Sequence, residues 1–178
     1  MRKKTVDEVE FRQQSFWHDT LPKPLRARPS LEQDLDLDVV IVGGGLTGLW
    51  SAYYLSEHAP NLRIAILEAE RVGFGASGRN GGWCVGTMAG MGVHANDPVG
   101  RVRLQRSLFD TVSVVGEVCR KEAIECDWHA GGWLSLALSK TQERVQKSEV
   151  EAWHAEGFDS NDVHWLSREE LKGRIQTP

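Results

Sequence analysis

The chain has 178 residues, of which 40% are hydrophobic and 26% charged, with a formal net charge of −4 at pH 7. This is the composition of an ordinary soluble globular protein, and its acidic balance gives no reason to expect a nucleic-acid partner. The longest apolar region, residues 39–55, is broken by four glycines, and charges interrupt the N-terminus. The sequence therefore predicts neither a membrane span nor a secretory signal, and it favours a cytoplasmic location.

The first segment, residues 1–37, is predicted to be an extended leader. Three prolines between residues 21 and 30 fix the backbone φ and remove donors, so neither a helix nor a central strand is expected there. Phe16 and Trp17 are expected to anchor this leader to the body of the protein.

Residues 38–98 begin with the pattern of a strand, a tight turn and a helix. An apolar run ends at glycines with the spacing G-x-G-x-x-G, and a helical pattern follows at once. Gly43 allows a sharp turn, Gly45 leaves room for a pyrophosphate, and Gly48 lets the helix lie close to the sheet. The helix N-terminus would then face a diphosphate.

A second apolar run, residues 63–67, ends in Glu68, twenty residues after Gly48. An acid at the tip of the second strand of a βαβ unit is placed to accept hydrogen bonds from a ribose 2′-hydroxyl and would repel a 2′-phosphate. These two features predict a dinucleotide-binding unit, and an NAD-dependent dehydrogenase shares them.

The loop after Glu68 favours a different cofactor. Residues 71–83 read RVGFGASGRNGGW, and six of these thirteen are glycine or alanine, so no helical face can be drawn through them. A nicotinamide-binding domain would usually continue with an amphipathic helix. A glycine-rich loop instead brings the backbone close to a flat or charged ligand.

With these three features the chain resembles the FAD-dependent oxidoreductases of the D-amino-acid-oxidase-like superfamily. Residues 73–82, GFGASGRNGG, are most similar to the gamma-glutamylputrescine oxidase branch, and weaker similarity extends to residues 16–22 and 125–132. The resemblance implies FAD as cofactor. It also implies an α/β fold, in which a Rossmann-like FAD-binding βαβ unit is followed by the beginning of an α+β substrate domain, both incomplete.

The resemblance further implies which residues hold FAD. Those at the pyrophosphate would be Gly43, Gly45, Leu46, Thr47 and Gly48, and Glu68 would bind the adenosine ribose. Those that run past the ribityl chain toward the isoalloxazine would be Ser77, Gly78, Arg79, Asn80, Gly81 and Gly82. Ser77 can donate to a phosphate oxygen and Arg79 can supply charge-assisted hydrogen bonds, although a surface ion pair is the alternative for Arg79.

The implied reaction is the oxidation of a small-molecule amine or amino acid. A hydride leaves the carbon beside nitrogen for flavin N5, the imine hydrolyses, and the electrons pass to oxygen to give hydrogen peroxide. Such chemistry requires no acid–base dyad, and the sequence identifies no catalytic residue. The six histidines show no ligand spacing, so no metal site is predicted.

The three cysteines, Cys84, Cys119 and Cys126, have neither metal-ligand nor CxxC spacing. An odd count also argues against a disulfide framework. They are predicted to be buried free thiols.

Residues 99–178 are predicted to be a helical segment and the start of the substrate domain. A helix is expected over residues 99–123, two short paired strands over 126–138, a helix from Ser139 to about His154, a short strand at 163–165, and a capping box that begins at Ser167. The chain then ends without a closing strand. It therefore reads as the N-terminal part of a longer oxidoreductase, either truncated or completed by a second chain; a non-catalytic fragment or interaction module is the other alternative.

Overall fold

The computed structural model describes residues 15–21, 28–87 and 97–175. These residues form two compact units, one up to Trp83 and the other from Cys84 onward. The predicted domain limits at residues 37/38 and 98/99 stay predictions. Two of the leader prolines, Pro22 and Pro24, lie outside the described residues.

The first unit begins with a single helical turn, α1, Phe16–Asp19. Ser15 caps it, with its Oγ accepting a hydrogen bond from the backbone N–H of His18. A serine ahead of a helix commonly satisfies one of the backbone donors of the first turn. The prediction of a wholly extended leader is therefore wrong at these residues.

A parallel βαβ unit follows, made of β1, Val39–Val42, α2, Leu46–His58, and β2, Ile64–Leu67. The two strands pair from Val39 opposite Ile64 to Val42 opposite Leu67. These elements confirm the predicted strand, turn, helix and second strand.

Asp38 and Arg63 join the amino ends of the two strands. The Asp38 carboxylate accepts hydrogen bonds from the backbone N–H of Arg63 at 2.8 Å and from its guanidinium at 3.0 and 3.1 Å. The carboxyl ends, where the glycine turn and Glu68 lie, are at the opposite edge of the sheet.

Helix α2 covers one face of this small sheet. A Cβ at Gly48 would lie 3.3 Å from the Ile41 side chain, which places the helix on the Ile41 face of β1. On the other face Val40 and Val42 are 49% and 85% exposed. Among the described residues this second face is therefore uncovered.

The second unit contains three helices, α3, Pro98–Lys121, α4, Lys140–Ala155, and α5, Arg168–Lys172. The first two confirm the predicted helices to within about two residues at each end. Ser139 and Ser167 cap α4 and α5 as predicted, and Ser167 forms a complete capping box with Glu170.

Aromatic rings hold α3 and α4 together. The Phe109 and Trp153 rings stack with centroids 6.2 Å apart, and Trp153 meets the Phe158 ring edge-on at 4.7 Å. Phe158 is 3% exposed. An ion pair of 2.6 Å between Arg101 and Glu156 adds a polar link between α3 and the end of α4.

The strands predicted at residues 126–138 and 163–165 are absent, since both segments lack helix and strand. In the part of the chain that the structure describes, the sheet contains β1 and β2 alone. An alternating apolar pattern produces a strand only where a neighbouring segment supplies hydrogen bonds. Trp133 and Leu138, from the predicted pair, are 63% and 84% exposed.

None of the helices in the described ranges is long and apolar enough to span a membrane.

The three cysteines are free thiols, as predicted. Cys84 and Cys126 are exposed and Cys119 is half-buried, so the prediction of burial is wrong.

Candidate functional site

The turn after β1 brings the chain very close to α2. Gly43 has φ +105°, and its N–H donates to the Leu67 carbonyl at 2.8 Å, one residue past the strand pairing. A Cβ on Gly48 would lie 2.1 Å from the Gly43 carbonyl oxygen, so a larger residue there would displace the turn. Both predicted roles of these glycines, the sharp turn and the close helix, match this geometry.

Gly45 precedes the first residue of α2 and faces Ser77. The backbone N–H of Leu46 donates to Ser77 Oγ at 2.9 Å, and a Cβ on Gly45 would lie 3.0 Å from the same oxygen. Ser77 is thus an acceptor at the helix N-terminus, and its own hydroxyl proton can be donated to another group. Thr47 lies exposed in the first turn of α2.

Glu68 follows β2 and reaches back to the glycine turn. Its Oε2 accepts a hydrogen bond from the N–H of Gly44 at 2.7 Å, and its Oε1 accepts one from the N–H of Glu70 at 3.0 Å. The hydrogen bonds from the Glu70 and Gly44 amides favour the ionised form and hold the pKa of Glu68 below its ordinary value. Because a carboxylate has about four lone-pair positions, Glu68 can still accept hydrogen bonds from hydroxyl groups.

The glycine-rich loop repeats the geometry of the first turn. Gly73, with φ +76°, donates from its N–H to the Gly44 carbonyl at 3.0 Å. Gly78 is buried at the end of a 3₁₀ turn, Ala76–Gly78, and a Cβ there would lie 2.1 Å from the Gly73 carbonyl. Two such turns, each built from glycines five residues apart, therefore lie side by side.

The loop beyond Gly78 is shaped by its own hydrogen bonds. The Arg79 Nε donates to the Phe74 carbonyl at 3.0 Å, and the guanidinium lies over the Phe74 ring at 5.0 Å. The Asn80 amide donates to the Ser77 carbonyl and accepts from the Gly82 N–H, both at 2.8 Å. The predicted role of Arg79 toward a ligand stays a prediction.

Helix α1 packs against this loop. The sequence predicts that Phe16 and Trp17 anchor the leader, and one of the two does so. Trp17 Nε1 donates to the Asn80 carbonyl at 2.8 Å, while Phe16 is 69% exposed. Trp17 therefore anchors the leader and Phe16 does not. Ser15 Oγ donates to the Gly78 carbonyl, and His18 Nε2 lies 3.4 Å from the Val72 carbonyl.

Ser15 and His18 are both buried, and the sequence reasoning missed them. The signal that could have revealed Ser15 is its position as a capping residue directly before a short aromatic helix. The structure thus brings the glycine turn, Glu68 and Ser77 to the carboxyl ends of two parallel strands. Residues 79–82 continue outward from Ser77 over α1.

Residues 38–177 match the protein family DAO, whose description is FAD dependent oxidoreductase. The chain belongs to this family of FAD-dependent oxidoreductases. FAD is the cofactor of the family.

Three relatives of this DAO-family chain illustrate the similarity. It is 34% identical over 151 residues to gamma-glutamylputrescine oxidoreductase of Escherichia coli, an alignment that covers 82% of this chain and 35% of that protein. It is 35% identical to a probable oxidoreductase, OrdL, of Haemophilus influenzae, over 63% of this chain and 26% of that protein. With the OrdL of Rhizobium meliloti the identity is 32%, and the shares are 90% and 37%.

The DAO-family chain thus spans about a third of the length of these relatives. No solved structure matches it.

The geometry of the site fits the cofactor of the DAO family. Beyond its chain neighbours, no heavy atom of the described residues lies within 4 Å of a Cβ built at Gly43, so the turn faces open space. A diphosphate needs such bare backbone at a helix N-terminus, and the ionised Glu68 lies one strand away. The chain's own residues therefore offer uncovered backbone at the turn next to a hydroxyl acceptor.

Proposed function

We propose that the protein carrying this chain is an FAD-dependent oxidase of a small-molecule amine or amino acid. The observation that carries the proposal is the hydrogen bond of 2.7 Å from the Gly44 N–H to Glu68, which links the glycine turn to an oriented carboxylate in a chain of the DAO family. The name of the Escherichia coli relative specifies gamma-glutamylputrescine, which supports an amine as the substrate class.

In this proposal the residues around the turn bind the nucleotide half of FAD. Gly43, Gly45, Leu46, Thr47 and Gly48 would hold the diphosphate, with bare backbone at the turn and the positive end of the helix dipole opposing its charge. Ser77 accepts from Leu46 and can donate its proton to a phosphate oxygen. Glu68, ionised and fixed by two backbone amides, would accept from the ribose hydroxyls.

The loop of the second turn would carry the flavin half. The residues assigned to it are Gly78, Arg79, Asn80, Gly81 and Gly82. No heavy atom of the described residues lies within 4 Å of a Cβ built at Gly81, so its backbone would be accessible to a planar ring. Asn80, tied to Ser77 and Gly82, would keep this backbone in one conformation.

Bound FAD supplies the redox chemistry, because it accepts a hydride from the carbon beside the substrate nitrogen and can return the electrons to oxygen. The described residues supply orientation and electrostatics. Membership of a family with FAD as cofactor favours this reading over the nicotinamide-dependent alternative. The cytoplasmic location and the second chain that could complete the fold stay predictions from the sequence.

A cofactor titration tests the proposal. The protein that carries this chain should bind FAD, seen as quenching of flavin fluorescence, and should show no enhancement of NADH fluorescence. Gly45→Ala places a methyl group 3.0 Å from Ser77 Oγ and should weaken FAD binding at least tenfold. Gly75→Ala is the matched control, since its Cβ would meet no atom of the described part of the chain within 4 Å.

Turnover assays test the proposed substrate class, an amine or amino acid. Amines and amino acids incubated with the FAD-loaded protein should give hydrogen peroxide in proportion to substrate consumed. A folded protein that takes up no FAD, or one that binds FAD but oxidises only alcohols or hydroxy acids, would contradict it.

A further inference from the structure

Helix α1 packs against the second glycine turn, residues 73–78. Ser15, the residue that caps α1, donates from Oγ to the Gly78 carbonyl, and the same oxygen accepts from the N–H of His18 at 3.4 Å. A hydroxyl has one donor and two acceptor positions, so Ser15 can form both hydrogen bonds at once. Its side chain is buried, with 6% of the residue exposed. One buried serine therefore caps α1 and also holds a backbone carbonyl of the turn.

The His18 ring lies in the space that two glycines leave beside α1. A Cβ on Gly73 would be 3.6 Å from the ring, and a Cβ on Gly78 would be 3.0 Å from it. His18 Nε2 is 3.4 Å from the carbonyl of Val72, directly before the turn, and His18 is 8% exposed. The imidazole is thus next to both ends of the second glycine turn.

The first glycine turn, residues 43–48, is held by the end of β2. The N–H of Gly43 donates to the Leu67 carbonyl at 2.8 Å, and that of Gly44 donates to Glu68 Oε2 at 2.7 Å. The hydrogen bonds from α1 end instead on the carbonyls of residues 78 and 80. The sheet therefore holds the first turn, and α1 holds the second.

We propose that Ser15 and His18 are positioning residues for the flavin half of FAD. The inference rests on the proposed function, in which the loop after Gly78 carries the isoalloxazine. The two side chains act through backbone, since their partners are the carbonyls of Gly78 and Val72. They fix the second turn before the cofactor arrives, and a loop that is already ordered loses less conformational entropy when it binds a ligand.

Loss of Ser15 should affect the two halves of FAD unequally. Ser15→Ala removes the donor to the Gly78 carbonyl, and Gly78 is buried. The second turn should then leave its bound conformation more often, while the diphosphate and ribose keep the first turn and Glu68. FAD binding should weaken about tenfold or more, and binding of ADP, which lacks the flavin, by less than about threefold.

Two measurements on the protein that carries this chain test the inference. Without FAD, amide exchange followed by mass spectrometry should become faster over residues 73–79 in Ser15→Ala and stay unchanged over residues 43–48. Calorimetric titrations with FAD and with ADP then give the two affinities. Thr20→Ala is the matched control and should change neither readout, because the Thr20 hydroxyl donates to the Phe16 carbonyl of α1 itself, at 2.9 Å.

A second pair of variants decides the matter if Ser15→Ala does not fold. His18→Ala keeps the capping serine and removes the ring, so it should weaken FAD binding while ADP binding is retained. His18→Gln should restore part of the FAD affinity, since its amide can donate to the Val72 carbonyl.

Unchanged exchange over residues 73–79 in these variants, or equal losses of FAD and ADP affinity, would overturn the inference. An unsubstituted protein that binds ADP but no FAD would overturn the proposed function instead. In that case the exchange measurement still decides whether Ser15 and His18 hold the second glycine turn.

Discussion

The indole Nε1 of Trp17 donates to the Asn80 carbonyl at 2.8 Å, and the same ring lies against Gly82, where a Cβ would come within 2.6 Å of it. Gly82 is therefore required twice, by this close approach and by its φ of +76°. A residue of the leader thus fixes the part of the loop that we assign to the flavin.

Replacing Trp17 by alanine should loosen this loop. The change removes one hydrogen bond and a ring that is more than half buried, and it should lower the free energy of unfolding of the first unit by roughly 1–3 kcal/mol. Hydrogen exchange at the amides of residues 80–83 should become faster, and FAD should dissociate more quickly. Amide exchange by mass spectrometry and stopped-flow release of FAD measure the two effects.

The control for Trp17→Ala is Phe16→Ala, in the same helical turn. Phe16 is 69% exposed and meets Trp17 only edge-on, so its removal should change stability by no more than about 0.5 kcal/mol. Equal exchange at residues 80–83 in the two variants would show that Trp17 does not hold the loop.

Gly48→Ala should be far more damaging than substitutions in the open parts of the same loops. Its Cβ would lie 2.1 Å from the Gly43 carbonyl, and backbone cannot move aside as a flexible side chain can. We expect a loss of roughly 3 kcal/mol or more, or failure to fold. Gly81→Ala, whose Cβ has no described residue within 4 Å, should melt close to the unsubstituted protein in the absence of FAD. Similar melting temperatures for the two variants would disprove the close packing of α2.

The βαβ unit could be predicted from sequence because its signals are local. Apolar runs, three glycines and Glu68 lie within thirty residues of one another. Gly43 is required by its φ of +105°, and Gly48 by the close approach of the Gly43 carbonyl. The helices of the second unit were predictable for the same reason, since serine caps mark two of their starts.

The rest of the site depends on contacts between distant parts of the chain. Ser15 and Gly78 are 63 residues apart, and no periodic pattern links them. The close approach of Gly78 to the Gly73 carbonyl was not predicted either. It has the same five-residue spacing as that of Gly48 to Gly43, but no strand or helix pattern in the sequence marks it. The prediction of strands at residues 126–138 was wrong for a related reason. A strand needs a hydrogen-bonding partner, and its own sequence does not specify one.

Glu68→Gln removes the negative charge at the proposed ribose site while it keeps a side chain of nearly the same shape. One amide oxygen can accept from either the Gly44 or the Glu70 N–H, but the amide nitrogen then faces the other donor, so one hydrogen bond is lost. The unfolding free energy without FAD should fall by about 1 kcal/mol, and FAD binding should weaken at least tenfold. Chemical denaturation and fluorescence titration measure these changes.

At low pH the protein with Glu68 and the Glu68→Gln variant should differ less in their free energy of unfolding. The folded-state pKa of Glu68 is depressed, so its contribution to stability is present above the ordinary glutamate pKa and is lost as the pH falls through the folded value. The gap in stability between the two proteins should therefore narrow on acidification. Glu70→Gln is the control, because it retains the backbone N–H that Glu68 uses. A gap that widened in acid would contradict an ionised Glu68.

A similar pH dependence of stability is expected for Asp38, at the amino ends of the two strands, and its neighbour Asp36 serves as the control. Hydrogen bonds from the Arg63 side chain and backbone lower the pKa of Asp38 from 3.8 to about 2. Its stabilising contribution is therefore complete above pH 3.8 and disappears as the pH falls through about 2. Asp38→Asn should be less stable than the unsubstituted protein at pH 7 and should lose less stability between pH 4 and pH 2.

Asp36→Asn tests whether the pH dependence of stability comes from the Asp38 carboxylate alone. Asp36 contacts Arg63 through a single contact of 3.2 Å, and its side chain is 93% exposed, so solvent screens most of the attraction. Its thermal melting curve should follow that of the unsubstituted protein from pH 7 to pH 2. If Asp36→Asn and Asp38→Asn shifted the curve equally, the strand ends would be held by diffuse charge rather than by the three hydrogen bonds that Asp38 accepts from Arg63.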